Sequence, residues 1–180
     1  ASNSRNRTPL QTHTTVGPSA GEYFAVSDQT GPNAAVLYQE FQAPHIVGGD
    51  VLLHFSVYVD SVGTGEVEFV NGPLDFISNR NQYGTVDLLV PNADPLTPLQ
   101  QDVLMNLFTG VHPGAKPVTY TRYTFDITPI VRDNEGRMLL RFGQVATQAM
   151  FNIDRNAFMN MGVDNIQLET VFTGTFSKYR

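Results

Sequence analysis

The side chains best suited to chemistry crowd toward the C-terminal end of the sequence. Asn152, Asp154, Asn156, Asn160, Asp164 and Asn165 place carboxylate and amide oxygens close together, and hard cations such as calcium take such oxygens from loops. Asp154-x-Asn156 opens like a calcium loop, but no glycine follows at the turn position and no glutamate closes it. The same residues also serve as turn formers and strand caps. Glu66 and Glu68 share one strand face, the arrangement of a carboxylate pair for glycoside hydrolysis. Two charges on a short strand also discourage edge-to-edge pairing, and that is the reading we adopt. His13, His45, His54 and His112 form no close pair and none lies at the spacing of a zinc-binding helix. We read each as a surface or rim histidine, with His54 on the polar face of a strand. Gly63-Thr64-Gly65 lacks the third glycine of a dinucleotide loop. Gly110 to Lys116 is broken by Pro113, and no Ser or Thr follows the lysine. No Gly-x-Ser-x-Gly elbow occurs. The expectation is a chain that is not an enzyme.

Composition narrows the classes further. The chain has 180 residues, a formal net charge of −6 and no cysteine, so neither disulfides nor thiolate metal sites enter. A length of this order suits one domain with a sizeable core. An acidic surface repels phosphate backbones, which argues against nucleic acid as a partner. No apolar run reaches the roughly 18 residues of a membrane span. Charged residues make up 16%, below the roughly 25% of an average soluble domain. The 12 Phe and 7 Tyr suit strands, and there is no Trp.

Positioning falls to strands. Residues 1–21 are polar and aperiodic, read either as a disordered arm or as an extended arm lying on a neighbouring molecule. Residues 22–169 then alternate apolar and polar side chains between turn signals. Val51 to Asp60 is the clearest case. Val51, Leu53, Phe55, Val57 and Val59 should face a core, with Leu52, His54, Ser56, Tyr58 and Asp60 facing away. Strands are also expected over Glu22–Asp28, Ala35–Phe41, Glu66–Val70, Gly84–Val90, Val118–Ile127, Arg137–Val145 and Gly162–Glu169. In the last of these Ile166 and Leu168 are expected to point inward. Asp94 to Phe108 reads as a short helix or a strand, and Thr128 to Val131 as a one-turn excursion. Residues 170–180 form a last strand or a tail. The fold class is all-β: an antiparallel two-sheet sandwich, a jelly roll, with at most one or two short helices.

Five strings in order carry a family resemblance: Tyr23 to Pro32; Val36-Leu37-Tyr38-Gln39-Glu40-Phe41; Val86-Asp87-Leu88-Leu89 with Ala93-Asp94-Pro95; Leu140-Arg141-Phe142; and Asn160 to Leu168. Together they resemble secreted bacterial proteins of the PEP-CTERM-sorted type, whose body is a galactose-binding-like jelly roll. The resemblance covers about residues 20–169. It implies export to the cell surface or extracellular matrix, and the opening Ala-Ser-Asn-Ser is read as a mature terminus left by signal-peptide removal. It also implies a structural calcium where the first and last strands meet, with Asp164 as ligand and Glu22 or Asp28 as its partner.

Two functions follow as expectations. The first is a structural subunit that binds copies of itself through residues 1–21 and 170–180, with Phe172 and Phe176 plugging into a neighbour's groove. The alternative is an extracellular glycan-binding module for polysaccharide, with Tyr38, Tyr58, Tyr83 and Tyr120 as the aromatic faces that sugars stack on.

Overall fold

The computed structural model describes residues 2–3, 17–22, 24–30, 32–46, 48–61, 67–70, 74, 82–112, 119–134, 136–146 and 158–172. In chain order the strands are β1 (Ser2–Asn3), β2 (Ala25–Thr30), β3 (Asn33–Gln42), β4 (Asp50–Ser61), β5 (Val67–Phe69), β6 (Tyr83–Leu89), β7 (Val103–Asn106), β8 (Gly110–His112), β9 (Thr121–Asp126), β10 (Arg137–Ala146) and β11 (Phe158–Val171). One short helix, α1 (Thr128–Asp133), precedes β10. The front sheet runs β1-β2-β11-β4-β9, and the back sheet runs β3-β10-β6-β5-β8 with β7 also on β6. Successive strands cross between layers. β2 lies in front, β3 behind, β4 in front, β5 to β8 behind, β9 in front, β10 behind and β11 in front. That is the path of a jelly roll, and the expected two-sheet sandwich is what forms. One pair departs from the antiparallel rule: β5 lies parallel to β6.

Period-two alternation explains the core directly. Val51, Leu53, Phe55, Val57 and Val59 of β4 are all at most 1% exposed. Opposite them stand Met138, Leu140 and Phe142 of β10 with Val86 and Leu88 of β6. Phe55 joins the layers: its ring lies 5.0 Å from Phe142 edge-on and 5.6 Å from Phe125 in a stack. Asp94 to Phe108 resolves into a 3-10 turn at Gln100–Asp102 followed by β7.

The back sheet is buried on both faces, which alternation alone does not show. Every residue of β6, and Met138 to Ala146 of β10, is buried. Asp87 and Arg141 stand directly opposite each other on the outward side, each side chain 1% exposed. Arg141 Nε and Nη2 donate to Asp87 Oδ2 at 3.0 and 2.6 Å. Arg141 Nη1 donates to the carbonyls of Pro95 and Thr97 at 3.3 and 2.9 Å. Thr85 Oγ1 and Asn106 Nδ2 donate to the two oxygens of Asp87 at 2.7 and 2.9 Å. The ion pair thus holds the 91–102 connection over the sheet.

Two expectations need correction. His54 is not a rim residue: it is 7% exposed. Ile166 and Leu168 do not enter the core: they are 37% and 39% exposed. Alternation from buried Val163 already turns Ile166 outward, and a bulge between Asp164 and Gln167, with Asn165 in the left-handed region at φ 54°, brings Leu168 opposite core-facing Leu53, at the margin of the sheet. β2 pairs with β11 only over Phe158–Val163, so from Asp164 onward β4 is the only strand paired with β11 among the described residues. β11 continues without a break through residue 170 to Val171.

Candidate functional site

The outward face of the front sheet gathers polar side chains from three strands. Register sets them in rows: Asp164–Ser56–Arg122, then Gln167–His54–Thr124, then Glu169–Leu52–Asp126, read from β11 across β4 to β9. The bulge matters here. It puts Asp164 and Gln167, three residues apart, on the same face, where strict alternation would pair Asp164 with Ile166. Arg122, Thr124, Asp126, Gln167 and Glu169 are exposed, while Ser56 and His54 lie beneath them.

His54 is the fixed centre of the grid. Its Nε2 lies 3.0 Å from Glu169 Oε2 and its Nδ1 lies 2.8 Å from Thr124 Oγ1. An ionised carboxylate only accepts, so Nε2–H donates to Glu169 and, in the neutral ring, Nδ1 accepts the Thr124 hydroxyl. A hydroxyl–imidazole–carboxylate chain is also the outline of an activated nucleophile. Here it lies on an open sheet face rather than in a cleft, and it serves to hold Thr124 and Glu169 in place.

At the head of the grid the polar rows give way to aromatic rings. Tyr58 and Tyr120 meet edge-to-face at 5.0 Å, and Phe24 lies 6.5 Å from Tyr58. Tyr58 is fully buried and Tyr120 half-buried. The Tyr58 ring lies flat over Gly162, its neighbour in register, where a Cβ would overlap the ring. The Tyr120 hydroxyl is buried without a hydrogen-bond partner among the described residues. Burial holds its phenol protonated far above the ordinary range, and nearby Tyr58 and the Asp164 carboxylate push in the same direction. Asp126 shifts the other way: hydrogen bonds from the Thr128 hydroxyl and backbone N–H hold it below the usual carboxylate value.

Asp164 is occupied by the chain itself. Its Oδ2 accepts from Ser19 N at 2.8 Å, Ser19 Oγ at 3.0 Å and Ala20 N at 3.2 Å, and Oδ1 accepts from Asn165 N at 2.8 Å. Asn165 Nδ2 donates to Ser19 Oγ at 2.7 Å. These bonds fasten residues 19–20 to the bulge. Calcium takes about six to eight oxygen ligands, and a carboxylate ringed by N–H and O–H donors does not fit that set. Glu22 is exposed and the Asp28 side chain lies outside the described residues. Among the described residues no three His, Asp or Glu side chains converge as a metal cluster.

The four tyrosines separate. Tyr58 and Tyr120 come together on the front face. Tyr38, 52% exposed, stands opposite Arg141 on the back sheet. Tyr83 is 2% exposed, packed with Leu74 and Val145, and out of a ligand's reach. Of the assembly pair, Phe172 is 78% exposed and Phe176 lies outside the described residues. Asn152, Asp154, Asn156, Glu66 and His13 lie outside them too, as do the side chains of Glu68 and His112. Sequence reasoning missed Arg122, Thr124, Gln167 and Glu169. The even-numbered polar positions of Thr121–Asp126 carried the signal for two of them, whereas the bulge concealed the others.

Fold and site together define a two-sheet jelly-roll sandwich with a polar, aromatic-headed sheet face and no helix long and apolar enough to cross a membrane among the described residues. No family model matches the chain, and no curated protein does. Among solved structures, TmCBM61 in complex with beta-1,4-galactotriose is similar, with a TM-score of 0.43 and 12% identity over 85% of this chain and 74% of that one. Likeness at that level assigns no ligand to this chain.

Proposed function

We propose that this chain is a non-catalytic, extracellular carbohydrate-binding sandwich that takes a neutral, linear glycan along the outward face of its front sheet. The observation that carries the reading is the three-strand polar grid headed by half-buried Tyr120, with fully buried Tyr58 supporting its ring edge-to-face from beneath. Sugars offer hydroxyls that both donate and accept, together with apolar C–H faces, and the grid with its aromatic head matches both. Rows two residues apart along a strand are spaced by about 6.8 Å, so four rows span roughly 20 Å, the length of a short oligosaccharide. The His54 bonds hold Thr124 and Glu169 still before binding, which lowers the ordering cost of association. Asp126, Asp164 and Glu169 outnumber Arg122 on this face, so uronate or sulfate polymers are repelled.

Calorimetric titration with neutral oligosaccharides of increasing length, β-1,4-linked galactose among them, tests this. Affinity should rise with length and then level off, and matched uronate oligomers should bind at least several-fold more weakly. Tyr120→Ala should weaken binding about tenfold, a step of roughly 1.4 kcal/mol. Binding that ignores Tyr120→Ala, or no binding to any neutral glycan, would sink the proposal.

A second reading, self-assembly, has its own observation. The β11 edge beyond Val163, which no strand pairs on the β2 side among the described residues, carries Ile166 and Leu168 with Phe172 just after it, all exposed, and an open apolar edge accepts a strand from another molecule. If this edge mediates assembly, Phe172→Lys should turn concentration-dependent oligomers into monomers in light scattering while leaving glycan affinity unchanged. Monomers at all concentrations before mutation would dispose of this reading alone.

A further inference from the structure

One end of the sandwich holds a cavity that the sheet-face reading does not use. The chain leaves β3 through Ala43, Pro44, His45 and Ile46, and α1 with Gly136 forms the facing wall. Local bonds hold these pieces together. Ala43 N donates to Gly136 O at 2.8 Å, and Ile127 N donates to Val51 O at 3.0 Å. Val51 N donates to Thr128 Oγ1 at 2.8 Å, tying α1 to the start of β4. Asn134 Nδ2 closes the end of α1 on the Ile130 carbonyl at 2.9 Å. The space, half-open to solvent, is about 460 Å³, lined by Gln42, His45, Ile46, Val131, Arg132 and backbone around them, within the usual range for small-molecule sites.

The lining is chemically one-sided. Arg132 supplies a guanidinium, His45 an imidazole and Gln42 an amide, and Val131, Ile46 and Pro44 supply apolar wall. Among the described residues no carboxylate lines the cavity, although the whole chain carries a formal net charge of −6. Arg132 Nη2 donates to the Gly49 carbonyl at 2.9 Å, which anchors one end of the guanidinium and leaves its other N–H donors open. Among the described residues no carboxylate lies within ion-pair distance of Arg132, although its charge helps to hold the Asp126 carboxyl down. A guanidinium anchored by one bond beside an apolar wall, with donors to spare, suits a planar, two-oxygen anion.

We propose that this cavity binds a compact monocarboxylate, its carboxylate on Arg132 and its body against Val131, Ile46 and Pro44. A uronic acid and a small aliphatic or aromatic acid share this chemistry. The site is separate from the sheet face, and neither depends on the other.

Amide-resolved NMR titration of the full chain distinguishes the sources. Galacturonate and benzoate form the two arms, with galactose and benzyl alcohol as uncharged counterparts. Shifts should centre on Ala43, His45, Ile46, Val131, Arg132 and Gly136, and at least one acid should bind ten or more times tighter than its counterpart. The arm that responds names the source. Arg132→Gln should abolish the difference, and Arg132→Lys, which keeps the charge and loses the fork, should retain part of it. Because the wild-type shift map locates the site by itself, the outcome stands even if a variant folds poorly. Equal affinity for acid and uncharged counterpart, or shifts that avoid these residues, would overturn the proposal whatever the sheet face binds.

Discussion

Arg141→Met is expected to destabilise the fold by about 3–5 kcal/mol, because it leaves the Asp87 carboxylate charged and buried with its main partner gone. For a domain of this size, that is a fall in Tm of roughly 6–20 °C. The size of the effect follows from burial. Both side chains are 1% exposed, so water cannot replace the lost bonds. The carbonyls of Pro95 and Thr97 lose their donor at the same stroke, and the 91–102 connection should lose hydrogen-exchange protection before the rest of the sheet. Asp87→Leu with Arg141→Met removes both charges. It still takes the acceptor from the Thr85 hydroxyl and the donor from the two carbonyls, so it should remain below wild type while costing less than the sum of the singles. The coupling from the double-mutant cycle measures the pair. A single substitution costing under about 1 kcal/mol would mean that the pair is not sealed from solvent as described.

The pair also marks how far the sequence alone could be read. Charges at Asp87 and Arg141 interrupt the apolar runs 86–89 and 138–142, a visible sign of a buried partner, but nothing local says that they face each other. That comes from the β6–β10 register. The core side of β4 was legible because alternation is a local property of the chain. The other side of β4 was not, since the residues that bury His54 and Tyr58, namely Thr124, Glu169, Tyr120 and Phe24, come from distant segments. Ile166 and Leu168 were misread for a related reason. Alternation from Val163 turns Ile166 outward, and the bulge at Asn165 then brings Leu168 opposite Leu53, where β2 no longer pairs with β11 and the side chain stays exposed. Tyr58 and Tyr120 were recognisable by type as sugar-stacking candidates. Tyr38 and Tyr83 carried the same type and went elsewhere, so residue type nominated the set and strand pairing selected within it.

That selection rests on one glycine, which supplies the second large effect. Gly162→Ala is expected to cost about 1–3 kcal/mol, the range for forcing an atom into a packed site. The added Cβ would overlap the Tyr58 ring, which is fully buried and has Tyr120 on one side and Phe24 near it. The ring has no free direction to move in, so it must push Tyr120 outward and disturb the head of the grid. Stability and glycan binding should therefore fall together. The control is the same substitution in a Tyr58→Ala background. With the ring gone there is nothing to overlap, and alanine is preferred to glycine within a strand, so Gly162→Ala should there be neutral or slightly stabilising. Denaturant unfolding of the four proteins gives the comparison. An equal cost in both backgrounds would show that the strain lies in the β11 backbone rather than against Tyr58, and the account of how the aromatic head is held would fail with it.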